Sequence, residues 1–234
     1  MTGTSEPPHQ HQPRPQPQPQ RVPQHQREHP ASAGATPRSP FVTWPRPPGI
    51  VERVLQPIPL RAGVTLRLLR TDDAEQLAEA YSRNRRYLEP WEPARSEAFF
   101  TKTWQAAQIP SLLETVAAGT GLPLVLATDT QIIGRVTLAG ITRGVLQSGG
   151  MGYWIDEAFA GHGIMSEAVA QVTRVATDDL RLHRIQAETL LHNQGSQKVL
   201  EHNGFKRIGM APKYIKIAGR WQDHILFQRI LHDD

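Results

Sequence analysis

Residues 152–205 read GYWIDEAFAGHGIMSEAVAQVTRVATDDLRLHRIQAETLLHNQGSQKVLEHNGF, and the periods within this stretch decide the fold. GYWID alternates as a strand does, and AFAGHGIM then carries Gly161 and Gly163 through a turn. From Ile164 the period becomes helical. Met165, Ala168, Val169, Val172, Val175 and Ala176 share one face, while Glu167, Gln171, Arg174 and Asp178 occupy the other. HRIQAETL returns to strand, and Asn193 stands as N-cap of a short helix through Val199 and Leu200 that Asn203 and Gly204 terminate. The helix after the glycine turn opens on backbone amides that glycine leaves uncovered, which favours an anionic phosphate group. A lone G-x-G turn can equally well just start a helix. Its place between strand and helix strengthens the phosphate reading.

Working outward, residues 64–70 (VTLRLLR) alternate as a strand, and Thr71, Asp72 and Asp73 start a helical pattern through Leu77, Ala80 and Tyr81. In NRRYLEPWEP, Pro90 and Pro93 interrupt the helix and leave Trp91 on a bend. Residues 96–118 are helical in pattern, with Pro110 expected to mark a break or a second start. Residues 123–129, 131–141 and 151–157 are strand candidates between short turns, expected to form an antiparallel meander. Two final strands, FKRIGMAPKYIKIAG and RWQDHILFQRI, meet at the turn Ala218-Gly219. The fold class is α+β: a mixed, mostly antiparallel sheet of about seven strands flanked by helices.

Composition separates a tail from this domain. Residues 1–48 hold 13 of the 20 prolines, with Gln and His between them, and such a segment cannot bury enough apolar surface to offset its ordering entropy. Residues 1–48 are therefore expected to be a disordered, partly polyproline-like tail, and 49–234 the folded domain. The tail holds +3 of the chain's +4 charge, which leaves the domain near +1 and gives no basic groove for nucleic acid. His9, His11, His25 and His29 could chelate a metal, but their polar surroundings read better as low-complexity spacer, and no metal is expected. The absence of cysteine removes disulfides, thiolate metal sites and an acyl-cysteine intermediate. The N-terminus lacks the apolar core of a signal peptide, and no run approaches the roughly 18 apolar residues of a membrane span, so a cytoplasmic protein that engages no membrane is the expectation.

Three stretches, NRRYLEPWEP, GYWIDEAFAGHGIMSEA, and HNQGSQKVLEHNGFKRIG followed by YIKIAGRWQDH, resemble the GNAT acyltransferases and, within them, the Rim-type N-terminal alanine acetyltransferases of ribosomal proteins. The resemblance covers nearly all of residues 60–231, and the first stretch is the most specific to the Rim-type branch. It implies a GNAT-like domain with a splayed central strand pair, acetyl-CoA as co-substrate, and transfer of acetyl to a peptide α-amino group, N-terminal Ala or Ser favoured. It further implies a cytoplasmic acceptor protein, an association with the ribosome, and a monomer or homodimer.

By that resemblance the pantetheine arm pairs with the strand at Tyr153, Trp154 and Ile155, whose unpaired amides and carbonyls suit its own amide groups. The pyrophosphate falls on the amides of Gly161, His162, Gly163, Ile164 and Met165. Here the chain departs from the family's Arg/Gln-x-x-Gly-x-Gly/Ala pattern, because Ala160 removes a side-chain phosphate contact and Met165 replaces a small residue. Backbone binding, helped by His162, is the expectation. Asn193 is read as a helix cap and as part of the cofactor site, and Ser196 as the hydroxyl near the CoA sulfur. The leaving thiolate, with a pKa of about 8.5, needs little help at neutral pH. Tyr214 is a second candidate acid, although a strand tyrosine also serves simply to pack. Ile215 stands where some relatives carry a Glu base, so Glu188, or Glu92 through water, is the candidate base. On the PWEP bend, Trp91 is expected to wall the acceptor pocket while Glu89 or Glu92 attracts the amino terminus; the alternative makes Trp91 a core anchor and both glutamates solvated.

Two other functions fit the same fold. One is acetylation of a small amine such as an antibiotic or polyamine. The other is a degenerate CoA-fold interaction module, which Ala160 suggests and the presence of Asn193, Ser196 and Tyr214 opposes. The sequence has no Walker loop, G-x-S-x-G or H-E-x-x-H motif.

Overall fold

In the computed structural model of the protein, residues 56–232 are described, so the expected tail at 1–48 lies outside them. The described chain folds around one eight-stranded sheet in the order β1-β2-β3-β4-β5-β6-β8-β7. Its strands are β1 (Ile58–Pro59), β2 (Thr65–Leu68), β3 (Leu122–Ala127), β4 (Ile132–Thr142), β5 (Ser148–Ile155), β6 (Arg184–Leu190), β7 (Lys206–Ile217) and β8 (Arg220–Ile230). Seven of these match the strands read from sequence. The eighth, β1, is a two-residue edge beside Leu66 and Thr65, too short to show an alternating pattern.

Helices α1 (Ala74–Arg83), α2 (Arg85–Leu88) and α3 (Lys102–Ala118) precede β3. α1 and α3 cover one face of the sheet, burying Leu77, Tyr81, Phe99 and Ile109 against Val125, Ile132 and Trp154. Helices α4 (Ile164–Arg174) and α5 (Gln194–His202) cover the other face. There the stripe of Met165, Ala168, Val169, Val172, Val175 and Ala176 is buried with Ile133, Val136, Ile185 and Phe227, as its helical spacing requires. α3 differs from expectation. It runs unbroken through Pro110, because Pro110 and Ala106, whose carbonyl loses its amide partner there, both lie on the exposed side where water can take the bond.

The antiparallel meander β3–β4–β5 is present as expected. β5 then crosses over through α4 to β6, which lies parallel to it, as a helical crossover requires. This parallel pairing covers only Ser148–Gly150 against Arg184–Gln186. Beyond it β5 stays with β4 as far as Ile155↔Gly134, and β6 stays with β8 as far as Leu190↔His224. The two strands therefore diverge, which is the expected splayed pair.

Candidate active site

The splay opens into a cleft of about 1500 Å³. Tyr153, Trp154 and Ile155 of β5 line it, as do the glycine turn, the start of α4, and α5. Along residues 151–155 the β5 edge that faces β6 has no strand partner, so its amides and carbonyls are free to bind an extended chain that carries amides of its own. Trp154 serves there through its backbone. Its indole Nε1 donates to the Tyr81 hydroxyl at 2.9 Å on the α1/α3 side of the sheet.

Where β5 ends, the turn is fixed by Asp156. This buried carboxylate accepts from Arg83 Nε at 2.7 Å, Asn84 Nδ2 at 2.9 Å and the Ala158 amide at 3.0 Å. Burial alone would raise its pKa; the bonds from Asn84, Arg83 and Ala158 outweigh that and hold it below the ordinary value. Asn84 Oδ1 also takes the Glu157 amide at 2.9 Å, so the end of α1 holds two successive residues of the turn that follows β5.

Gly161 and Gly163 then take φ of 78° and 77°, a left-handed region costly for other residues, and Gly163 caps α4. Gly163 has no side chain to receive the first amides of α4, and Gly163, Ile164 and Met165 line the end of the cleft. His162 is exposed and is not among the lining residues; Gly161, Gly163, Ile164 and Met165 are. Arg61, which the sequence reading passed over, lies beside the turn. Its backbone N–H and Nε donate to Glu167 Oε2 at 3.0 and 2.8 Å. These bonds draw the Glu167 carboxyl below the usual range, the backbone N–H most strongly. The charged lining is Arg61, Lys198 and Arg229 against Glu167 alone, so the cleft is positive although the domain as a whole is near neutral.

Across the cleft, Asn193 Oδ1 accepts from the Ser196 amide at 3.1 Å, which makes it the N-cap expected of it. Ser196 Oγ lies 2.9 Å from the Tyr153 hydroxyl, and that hydroxyl donates to the Ser196 carbonyl at 3.1 Å. Burial raises the pKa of Tyr153, opposed by the bond to Ser196, so the phenol stays protonated. At the end of α5, Asn203 Nδ2 donates to the Ser166 carbonyl at 3.1 Å and ties this wall to the α4 wall.

The remaining candidates are distributed unevenly. Trp91 lines the cleft and packs on His192 with ring centroids 5.2 Å apart, closing the mouth beside Tyr87 and Leu88. Glu89 and Glu92 line a separate pocket of about 170 Å³ with Arg85, Arg95, Tyr81 and Ala218; Leu88 borders both spaces. Burial raises the pKa of Glu92, opposed first by Arg95, whose Nε stands 3.5 Å away. Glu188 and Tyr214 do not line the cleft. Glu188 of β6 stands opposite Leu226, two positions before the register pair Leu190↔His224, its pKa raised by partial loss of solvent and opposed by His224. Tyr214 is 47 % exposed on β7, its ring 5.8 Å from that of His224.

Comparison with known proteins agrees with this geometry. The family model of the acetyltransferase (GNAT) domain matches residues 64–206. The [ribosomal protein uS5]-alanine N-acetyltransferase of Escherichia coli is 33 % identical over 166 residues, covering 70 % of this chain and 85 % of the relative. The crystal structure of ribosomal-protein-S5-alanine acetyltransferase from Vibrio fischeri is 36 % identical with a TM-score of 0.73, covering 76 % of this chain and 98 % of that one. Mycobacterium smegmatis RimJ in complex with CoA-disulfide is 31 % identical with a TM-score of 0.70, covering 75 % and 86 %. Strand splay, glycine turn and family match together make this chain a member of the GNAT family and an N-acetyltransferase, with Rim acetyltransferases among its relatives.

Proposed function

We propose that this chain transfers the acetyl group of acetyl-CoA to the α-amino group of a protein N-terminus, with a ribosomal protein that begins with Ala or Ser as acceptor. The observation that carries the reading is the unpaired β5 edge between two fixtures, the glycine turn at one end and the Tyr153–Ser196 hydroxyl pair in the cleft. The names of the Escherichia coli and Vibrio fischeri relatives support the acceptor class, and the CoA complex of the Mycobacterium smegmatis relative supports the co-substrate. Such an acceptor implies a cytoplasmic enzyme that meets the ribosome. No helix among the described residues is long and apolar enough to cross a membrane.

Acetyl-CoA supplies the thioester carbonyl. The α4 amides and the cations of the cleft hold its phosphates, and the β5 edge holds its amide-bearing arm. The acceptor amine, with a pKa of about 8, is neutral in useful fraction at pH 7 and needs positioning more than activation. As the C–N bond forms and the C–S bond breaks, Ser196, positioned by Tyr153, turns its one hydroxyl proton from that pair onto the departing thiolate, and the excess amine proton passes to water, or through water to Glu188 outside the cleft lining. Trp91 and Leu88 confine the acceptor beside the thioester.

One feature favours a peptide over a polyamine or aminoglycoside. In the small pocket at the PWEP bend, Glu89 and Glu92 stand with Arg85 and Arg95, so their charges balance, whereas a polycation calls for an acidic cleft. Intact-mass spectrometry on free amino-terminal Ala, Ser and Met peptides, amino-blocked lysine peptides, polyamines and aminoglycosides tests the proposal. Acetylation restricted to the free-terminus peptides is the expected result. Acetylation only of the small amines would replace the acceptor class, and binding of neither CoA nor acetyl-CoA would remove the enzymatic reading.

A further inference from the structure

We propose that Arg61, delivered by the turn between β1 and β2, is the pyrophosphate-binding side chain of the cleft and takes the place of the contact that Ala160 leaves out. This inference rests on the acetyl-CoA reading above. Ala160 and Arg61 both line the cleft at the glycine turn, Ala160 without a polar atom to offer and Arg61 with a guanidinium. That guanidinium lies where a side chain of residue 163 would be. A Cβ built on Gly163 would stand 2.7 Å from Arg61 Nη1 and 3.4 Å from Cζ. The φ of 77° requires glycine at 163, and the space its missing side chain leaves is where the Arg61 guanidinium lies.

Arg61 is also held in place. Glu167, in the first turn of α4, takes the Arg61 backbone N–H and Nε through one oxygen, and this pins the base of the side chain to the helix whose first residues line the end of the cleft. Nη1 and Nη2 donate to neither Glu167 oxygen, so the outer fork remains for a ligand. A planar fork beside uncovered amides suits two bridged phosphates better than a single charge would. With its side chain 57 % exposed, Arg61 can turn onto such a ligand without unpacking the core.

The test is equilibrium binding to the full chain by calorimetry, with three probes: CoA, 3′-dephospho-CoA, which keeps the pyrophosphate, and pantetheine, which has none. Arg61→Ala should raise Kd about tenfold for the first two and leave pantetheine unchanged. Arg61→Ala combined with Ala160→Arg should recover CoA binding to within about threefold of the parent, because the fork is then supplied from the family's usual position. Thermal unfolding of the unliganded variants should stay close to that of the parent, and Arg61→Gln gives a second variant with the same expected loss. An unchanged Kd for CoA, or an equal loss for pantetheine, would overturn the role of Arg61 while leaving the acetyl-CoA reading intact. Failure of the parent chain to bind CoA would overturn both.

Discussion

Strands β5 and β7 each carry a tyrosine, and the two have opposite fates. β5 lies between β4 and the departing β6, with α4 and α5 across its face, and it places the Tyr153 hydroxyl 2.9 Å from Ser196 Oγ in the cleft. β7 is an edge strand paired only with β8, its register broken twice, and Ile217 is its single buried residue. Tyr214 therefore stays largely in solvent. Cover, more than residue type, decides which phenol is a fixed donor. A desolvated hydroxyl with a defined partner is oriented before substrate arrives, whereas an exposed one must give up rotamer freedom to act.

The largest effect should come from breaking what anchors β5. Asp156→Ala leaves Arg83 Nε, Asn84 Nδ2 and the Ala158 amide without their shared acceptor. A loss of about 3 kcal/mol is expected, seen as a drop of roughly 6–12 °C in Tm. The sign with pH follows from the depressed carboxyl. Its contribution is complete above the unfolded value of about 3.9 and disappears as pH falls through the lower folded value, so parent and variant should converge in acid. A Tm gap that stays constant from pH 7 to pH 3 would assign the loss to packing instead.

Next in size is the hydroxyl pair. Ser196→Ala and Tyr153→Phe should each lower kcat about tenfold with little change in CoA affinity, and the double variant should lose hardly more than either single one, because one hydrogen bond joins them. Additive losses would mean that the two hydroxyls act separately. Glu188→Gln should cost somewhat less, about three- to tenfold, and should change the pH profile. As a base with a raised pKa, Glu188 adds to the rate as pH rises through that pKa, so its removal should leave only the amine's own ionisation on the acid side.

Much of the fold was legible because it rests on periodicity. The α4 stripe from Met165 to Ala176, the meander and the Asn193 cap are local patterns, and local patterns survive folding. The geometry of the cleft was legible wherever backbone carries it, as in the glycine turn and the β5 edge. What escaped depends on distance in sequence. Nothing near Arg61 announces that the β1–β2 turn will lie against Gly163, and nothing near Tyr153 announces that α5 will bring Ser196 to its hydroxyl. Pro110 misled because propensity marks a missing amide without saying that water can reach the carbonyl left over. Glu89 and Glu92 follow Leu88 directly, yet the bend turns them into their own pocket, and only the tertiary arrangement of Arg85, Arg95 and Ala218 reveals it.

The smallest effects are expected on the open half. Ile208, Met210, Tyr214 and Trp221 on the β7–β8 hairpin are between 47 % and 62 % exposed. Tyr214→Phe and Trp221→Ser should each shift stability by no more than about 0.5 kcal/mol and change kcat by less than about threefold. The informative quantity is KM, compared between a peptide and its N-terminal amino-acid amide. The hairpin turn reaches the PWEP bend, where the Ala218 amide donates to the Glu92 carbonyl at 2.9 Å, and this sets the exposed hairpin beside the bend whose Trp91 lines the cleft. If KM rises for the peptide alone, the exposed strand reads the acceptor chain and the covered strand performs the chemistry. A fall in kcat for both acceptors on Tyr214→Phe would place the second phenol in the reaction and abolish the distinction between the two strands.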